Sequence, residues 1–190
     1  MIKVFHLIVF DWRRYTSLHK KMNPFLFLVV LLRNPGMYFS VAYRIERYLL
    51  TNSFLILKIL GAFIYPFYFI FTYYILDVDI SPRVKIGKGL YIHNRGIVFA
   101  DSVIAENNLT LNGPLTVGTK GLNLSLKKDP SAAPSLGNNV SIGVGARIIG
   151  NITIGNNVYI GANAVVVKNI DSNLIVGGVP AKIIGKMKKQ

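Results

Sequence analysis

The sequence predicts a mainly β protein in which a parallel β-helix follows a helical, hydrophobic N-terminal region. The first observation is a six-residue period in two runs of β-branched or aliphatic residues: Ile80, Ile86, Ile92, Val98, Ile104, Thr110, Thr116, then Leu136, Ile142, Ile148, Ile154, Ile160, Val166. The second is a small or aliphatic residue four positions after each member of the second run: Val140, Ala146, Ile152, Val158, Ala164, Ile170. Neither a helix nor an ordinary strand has this period, whereas a hexapeptide β-helix forms one flat face from every six residues. We therefore expect both runs to point into a coil spanning roughly 80–170.

Residues 1–76 form the first predicted unit, which is helical. The segment Arg33–Gly36 contains Asn, Pro and Gly and is predicted to break the helical pattern. An amphipathic helix is expected to follow over Met37–Leu50. Three charged residues of this helix are expected to face outward: Arg44, Glu46, Arg47.

The segment Ser53–Leu76 is the most apolar part of the chain, and Lys58 is its only charged residue. About 20 apolar residues suffice to cross a bilayer, so the length permits a membrane-spanning helix. Lys58 and Pro66 count against a simple span. The alternative is a buried helical cap or a contact between subunits. We expect the first unit to be membrane-associated.

Residues 77–190 form the second predicted unit, the β-helix. Its six-residue period is interrupted once, between Thr116 and Leu136. The intervening segment 118–135 contains several lysines and two prolines and is predicted to project from the coil as a loop. Loops that project from a rigid scaffold often carry function.

Composition restricts the classes of partner and chemistry. The 190-residue chain has no cysteine, which excludes disulfides, a thiol nucleophile and thiolate metal ligands. Its net charge of +14 indicates an anionic partner: a phosphorylated cofactor, a membrane surface, an acidic glycan or nucleic acid. No nucleic-acid-binding motif is present, and no cluster of His, Asp and Glu indicates a metal. The apolar stretch after Met1 lacks a small-residue cleavage site, so no signal peptide is expected.

Six short motifs in residues 77–186 point to a known family: Asp79-Ile-Ser-Pro82, Ile86-Gly-Lys-Gly89, His93-Asn-Arg-Gly-Ile-Val98, Ile142-Gly-Val-Gly-Ala146, Ile160-Gly-Ala162, Gly178-Val-Pro-Ala-Lys182. They resemble the left-handed β-helix acyltransferases, specifically the serine acetyltransferase-like branch and the bacterial polysaccharide and sugar O-acetyltransferases. The resemblance implies a left-handed coil, a homotrimer, acetyl-CoA as co-substrate and active sites between subunits.

His93 is the candidate general base. Acetyl transfer to a hydroxyl requires removal of its proton as the oxygen attacks, and a neutral histidine is the usual acceptor. His93 is the only histidine of the coil and follows the predicted inward Ile92, so it is expected to project at a turn. A histidine at a surface turn with no catalytic role is the alternative.

Asp79 is the candidate carboxylate behind the histidine ring, where it would fix the tautomer. It lies fourteen residues before His93, close to one eighteen-residue coil, so the two side chains can stack on neighbouring coils. The resemblance matches the pair to the catalytic dyad, although the family interval is one residue longer. An aspartate at this position can also serve only to form a turn.

Two positions differ from the serine acetyltransferases. Ile92 stands where that branch has an aspartate that helps hold the amino acid, and Ala133 stands where it has a second histidine before a proline. Both differences argue against serine as the acceptor. Asn94 and Arg95 are the candidate acceptor-binding residues because they follow His93 directly.

The resemblance also assigns residues to acetyl-CoA. Val144 and Ala162 are eighteen residues apart, so they stack, and they match positions that contact pantetheine. The remaining assigned residues belong to the loop near the thioester and to the phosphate contacts: Gly118, Thr119, Lys120, Lys182, Lys186. The alternatives are that the coil itself requires the small residues and that the lysines are solvated.

Three functions are open at this stage. The leading hypothesis is an O-acetyltransferase that acts on a sugar hydroxyl of a polysaccharide or its precursor. It would be a homotrimer on the cytoplasmic side of a bacterial inner membrane, with a saccharide acceptor and no nucleic acid or metal. The alternative is a cytoplasmic serine or other soluble small-molecule O-acetyltransferase. The third is a non-catalytic β-helix scaffold.

Overall fold

The computed structural model describes residues 2–16, 24–120 and 133–187. In these ranges the chain begins with helices: α1 (Ile2–Tyr15), α2 (Pro24–Arg33), α3 (Pro35–Thr51) and α4 (Leu55–Phe69), which continues as a π-helical stretch over Ile70–Ile75. Proline occupies the start of α2 and of α3. At this position a backbone N–H has no acceptor within the helix, so the missing N–H of proline costs no hydrogen bond.

Short strands follow in sequence: β1 (Val78–Asp79), β2 (Lys85–Ile86), β3 (Tyr91–Ile92), β4 (Ile97–Phe99), β5 (Ile104–Ala105), β6 (Thr110–Leu111), β7 (Leu115–Gly118), β8 (Ser135–Leu136), β9 (Ser141–Ile142), β10 (Arg147–Ile149), β11 (Thr153–Ile154), β12 (Tyr159–Ile160), β13 (Val165–Val166), β14 (Leu174–Gly177) and β15 (Lys182–Lys186).

The strands stack into three sheets that form the faces of a coil. Sheet A has the order β1-β4-β7-β10-β13, sheet B the order β11-β8-β5-β2, and sheet C the order β15-β14-β12-β9-β6-β3. Every pairing is parallel except β14 with β15, where the chain turns back. Each coil therefore passes through all three sheets, which confirms the predicted β-helix behind a helical N-terminal region.

The second periodic run points inward as predicted, but the first run is wrong after Ile92. Val98 and Ile104 are both 43% exposed. The inward residues there are shifted by one position: Phe99, Ala105, Leu111, Val117. Val78 pairs with Ile97, nineteen residues later, whereas Ile97 pairs with Leu115, eighteen residues later. The first coil thus contains one extra residue, which falls in the turn 93–96.

The interruption of the period is an insertion in a single coil. Thr116 pairs with Arg147, 31 residues later, instead of the eighteen of a regular coil. The inserted residues follow β7 and precede β8. Most of the predicted projecting loop, 121–132, lies outside the described residues.

The predicted outward orientation of α3 is wrong for Arg44 and Glu46, both of which are buried. Arg44 Nε lies 2.9 Å from Asp11 Oδ2 of α1. This ion pair then bonds main-chain groups of the first coil: Ile86 O, Gly87 O, Gly89 N and Leu90 N. The first turn of a β-helix leaves main-chain N–H and C=O groups without partners from a preceding coil. The charged residues of α1 and α3 supply hydrogen bonds to these groups.

Candidate functional site

Five of the eleven predicted site residues lie along one edge of the coil, where each coil passes from sheet C to sheet A. This C–A edge consists of the stacked turns 93–96, 112–114, 143–146 and 161–164. The turns bond to one another: Gly145 N donates to Pro114 O (2.6 Å), and Asn163 N donates to Val144 O (2.7 Å). His93, Val144 and Ala162 therefore share one edge in that order.

The spacing along the C–A edge suits an elongated ligand. The turn of His93 and the turn of Val144 are two coils apart, or roughly 10 Å at the usual strand spacing. Ala162 lies one coil further, and both Val144 and Ala162 are exposed. Lys182 begins β15, beyond the last of these turns, and Lys186 ends it; both are exposed. A molecule laid along the edge passes these positions before it reaches His93.

His93 is an exposed side chain on a fixed backbone. Its N–H donates to Leu111 O (2.9 Å). Its ring is nearly parallel to that of Tyr91, with centroids 6.2 Å apart, and the Tyr91 hydroxyl lies 3.4 Å from Nδ1. If Nδ1 carries the proton and faces this hydroxyl, Nε2 is left with a free lone pair that can accept a proton.

Helix α1 supports the strand that leads to His93. Tyr15 Oη accepts a hydrogen bond from Ile92 N (2.8 Å), and its ring lies 4.6 Å from that of Tyr91. Burial raises the pKa of Tyr15, so it stays a neutral phenol. Arg14 donates to Thr110 Oγ1 on the neighbouring coil (2.7 Å). Sequence reasoning missed Tyr15 and Arg14 because 76 or more residues separate them from the positions they support.

A cavity of about 310 Å³ opens beside His93. Its lining combines the start of α3, the beginning of the first coil and the turn that holds His93: Pro35, Gly36, Leu76, Val78, Ile92, His93, Asn94, Arg95. Gly36 permits the close approach of α3, because a Cβ there would clash with the carbonyl oxygen of Ile92. Asn94 and Arg95 are exposed and line this cavity.

Asp79 does not bond His93 in the part of the chain that the structure describes. It lies half-buried on β1, beside Val98 of the next coil, whereas His93 lies in the turn before sheet A. Burial, and then the negative charge of Asp101, raise the pKa of Asp79. Asp79 therefore stacks on Val98, nineteen residues later, and not on His93, which is only fourteen residues later.

Asp77 is the aspartate that the structure brings to the turn of His93. Its carbonyl oxygen accepts hydrogen bonds from Gly96 N (2.8 Å) and Ile97 N (3.2 Å). The carboxylate of Asp77 also lies close to this turn, since a Cβ placed on Gly96 would be 3.7 Å from its Oδ2. Sequence reasoning treated Asp77 only as the start of the coil. Its nineteen-residue distance from Gly96 would have indicated the contact had the first coil been known to be long.

Gly118, Thr119 and Lys120 lie elsewhere. Gly118 ends β7, so these residues follow sheet A, whereas the C–A edge precedes it. Lys120 packs beside Gly150: the Cβ of Lys120 lies 3.5 Å from the position that a Cβ on Gly150 would occupy. Within one chain the structure therefore does not bring the three residues to His93. No group of three or more His, Cys, Asp and Glu that could hold a metal occurs among the described residues.

The two positions that differ from the serine acetyltransferases carry no charge to the cavity. Ile92 is buried, with its side chain inside the coil, and Ala133 is buried just before β8. The acceptor site thus lacks a carboxylate at 92 and an imidazole at 133.

Comparison with known proteins identifies the repeats. The sequence model of the family described as bacterial transferase hexapeptide (six repeats) matches residues 133–168. These residues contain β8 to β13 and include the regular second run of the six-residue period.

Similar curated proteins are serine acetyltransferases. The enzyme of Buchnera aphidicola subsp. Acyrthosiphon pisum is 32% identical over 194 residues, which cover 98% of this chain and 64% of that protein. The enzyme of Escherichia coli K12 is 32% identical over 111 residues, covering 58% of this chain and 39% of that protein. The chain thus spans between about two fifths and two thirds of the length of these relatives.

Solved structures agree. The serine acetyltransferase of Neisseria gonorrhoeae matches all of this chain and 69% of its own, with a TM-score of 0.80 and 28% identity. A serine acetyltransferase in complex with CoA matches 96% of this chain and 70% of its own, with a TM-score of 0.74 and 28% identity.

These comparisons correct the leading functional hypothesis. The prediction of an O-acetyltransferase that acts on a polysaccharide or sugar is wrong, because the similar curated proteins and solved structures are serine acetyltransferases. The predicted likeness to sugar O-acetyltransferases and the saccharide acceptor have no support among them. Ile92 and Ala133 are only two positions, so the absence of an aspartate and a histidine there does not exclude serine as the acceptor.

Proposed function

We propose that this chain is a hexapeptide-repeat, left-handed β-helix protein of the serine acetyltransferase family, and that it transfers an acetyl group from acetyl-CoA to the hydroxyl of serine or of another small soluble acceptor. The observation that carries the proposal is the C–A edge, which aligns His93 with Val144 and Ala162. That alignment suits a chain that superposes over 96% of its length on a serine acetyltransferase bound to CoA.

The mechanism needs a base beside an anchored thioester. His93 Nε2 accepts the proton of the acceptor hydroxyl while its oxygen attacks the thioester carbonyl carbon. The tetrahedral intermediate then expels the CoA sulfur, and the imidazolium returns the proton to it. Products are the acetyl ester and CoA, and His93 is neutral again. A positioned histidine of this kind contributes about 10²–10⁴-fold to the rate.

The cavity offers groups for both ends of an amino acid. Arg95 supplies a cation for the carboxylate, since guanidinium and carboxylate form strong paired hydrogen bonds. The ammonium group requires an anion, which Ile92 does not provide. Asp77, whose carboxylate lies against Gly96, is the candidate for that contact. A serine site in this chain would thus use a different acidic residue from the one its relatives use.

Acetyl-CoA binding is proposed to require a neighbouring subunit. Val144, Ala162, Lys182 and Lys186 belong to the C–A edge and its continuation, whereas the residues 118–120 lie across sheet A. In a homotrimer, residues 118–120 of one subunit would face the C–A edge of the next. Each cofactor site would then be completed between two coils.

The test of the proposed function is a thiol-release assay. Purified protein with acetyl-CoA is expected to release CoA when serine is added, and a panel of other small hydroxyl compounds defines the acceptor. We expect His93→Ala to lower kcat by about 10²–10⁴-fold while CoA binding, measured by calorimetry, persists. His6→Ala is the matched control, because His6 is an exposed histidine of α1.

Two results would count against the proposal. Full activity in His93→Ala would remove His93 as the base. Absence of CoA release with serine and with every small acceptor would reject acetyl transfer to a small molecule.

A further inference from the structure

A long apolar helix lies exposed on the surface. It runs over Leu55–Ile75, combining α4 with its π-helical continuation, and is long and apolar enough to cross a membrane. Only 17% of its most apolar stretch is buried, whereas the core helix of a soluble protein is mostly buried. Five of its large side chains are at least 65% exposed: Leu55, Ile56, Phe63, Phe67, Tyr74. Such a surface requires a partner.

The opposite face of this apolar helix is attached to the protein. Gly61 is buried against Leu49 and Leu50 of α3. About two and three turns further along, Tyr68 and Thr72 are buried, and the Tyr68 hydroxyl donates to Ile80 O of the first coil (2.7 Å). The helix is thus held along its length.

This attachment decides how the helix can meet a bilayer. A span would take α3 and the first coil into the hydrocarbon together with the buried ion pair of Asp11 and Arg44, at a prohibitive cost in unsatisfied polar groups. A helix with one face on the protein and one apolar face outward suits the plane of the membrane surface instead.

Neighbouring features match an anionic bilayer. Helix α2 exposes Phe25, Leu28 and Leu32 and ends at the exposed Arg33. Lys58 is the one charged residue of the apolar helix, and it is exposed. Tyrosine, which favours the boundary between headgroups and acyl chains, and phenylalanine, which is typical of the apolar face of an interfacial helix, make up much of the exposed face. The net charge of +14 adds attraction to anionic lipid.

We propose that the apolar helix Leu55–Ile75 docks this protein in the plane of an anionic phospholipid membrane. The face that α4 turns away from α3 enters the acyl boundary, while the coil stays in water. The proposal is independent of the proposed acetyl transfer, because it uses none of the residues of the C–A edge.

Vesicle flotation tests the docking. The full chain is mixed with vesicles rich in phosphatidylglycerol or made of phosphatidylcholine alone, and floated through a density gradient. We expect flotation with the anionic vesicles, reduced by salt. Phe63→Asp/Phe67→Asp is expected to lower the floated fraction at least about tenfold, because two large apolar side chains are lost from the contact. Ile183→Asp/Ile184→Asp is the matched control, since these residues of β15 are 63% and 68% exposed.

Each outcome decides the proposal. Flotation of the control variant but not of the α4 variant supports the proposal, provided that circular dichroism shows both variants to be folded. If the double variant does not fold, the single variant Phe63→Asp is used in its place. Equal loss in both variants, or no flotation of the unmodified chain, overturns it. If the unmodified chain does not float but forms a larger assembly, and Phe63→Asp/Phe67→Asp dissociates that assembly, the exposed helix contacts a second copy of the chain and the membrane proposal is overturned. Bound protein is expected to be released by alkaline carbonate, and retention would overturn the in-plane arrangement.

Discussion

Glu46 is a carboxylate that the fold buries without a partner. Its two oxygens are inaccessible to solvent and accept no hydrogen bond among the described residues. Burial disfavours the charged form and raises the pKa of Glu46 from 4.5 to about 6. The folded state therefore binds a proton more tightly than the unfolded state, so the free energy of unfolding falls as the pH rises through this interval and stays lower above it.

This pH dependence predicts the effect of Glu46→Gln. Glutamine has nearly the same shape and stays neutral, so we expect the variant to gain about 1–2 kcal/mol in the free energy of unfolding near neutral pH. The gain should shrink towards zero as the pH falls below the pKa of an ordinary glutamate side chain, because Glu46 is then protonated in both the folded and the unfolded state. Urea unfolding at acidic and neutral pH measures it, with the exposed Glu106→Gln as control. A gain that does not change with pH would contradict the assignment.

At the scale of elements, the Asp11–Arg44 ion pair is the buried charged contact that joins α1 and α3 to the first coil. Asp11 accepts from Gly89 N and Leu90 N (both 2.8 Å) and from the Ser40 hydroxyl. We expect Asp11→Ala to lower the free energy of unfolding by about 3–5 kcal/mol, because it leaves a buried guanidinium unpaired.

The matched control for Asp11→Ala is Arg83→Ala. Arg83 is 74% exposed and lies 3.7 Å from Asp101, so its loss should cost less than about 1 kcal/mol. Urea unfolding of both variants compares them directly. Equal costs would show that the buried ion pair does not fasten the helices to the coil.

At the scale of the whole molecule, the residues predicted to bind acetyl-CoA are divided between two parts of the coil. His93 lies on the C–A edge and Lys120 lies across sheet A, so a complete acetyl-CoA site is expected only in an assembly. Light scattering on the purified chain should therefore give the mass of three chains. A stable monomer with full activity would show that residues 118–120 do not contribute to the site.

The periodic pattern was sufficient to predict the β-helix, because an inward residue every six positions has no other common structural origin. It failed after turn 93–96, because Val98 and Ile104 are aliphatic and satisfy the six-residue period although their side chains point outward. The pattern detects apolar residues and not their direction, so one extra residue in a turn escapes it. The expected stacking of Asp79 on His93 has a different difficulty, because Asp79 is a strand residue of sheet A that pairs with Val98, whereas His93 lies in the turn before that sheet.

The helices show a second limit of sequence reasoning. Arg44 and Glu46 are charged and were predicted to face water, since a helical pattern distinguishes apolar from polar faces. The carbonyl groups at the start of the coil need donors, and Arg44 supplies them. That need arises from tertiary structure more than 40 residues away, which local periodicity does not contain.

The reversal of the chain at β15 has a consequence for how copies of this protein can associate. A regular β-helix presents an open strand row at its end, onto which another coil could stack in parallel and extend without limit. Here the outermost strand of sheet C runs antiparallel and has Lys182 and Lys186 at its two ends. A reversed strand with a lysine at each end disfavours the stacking of a second coil on that face.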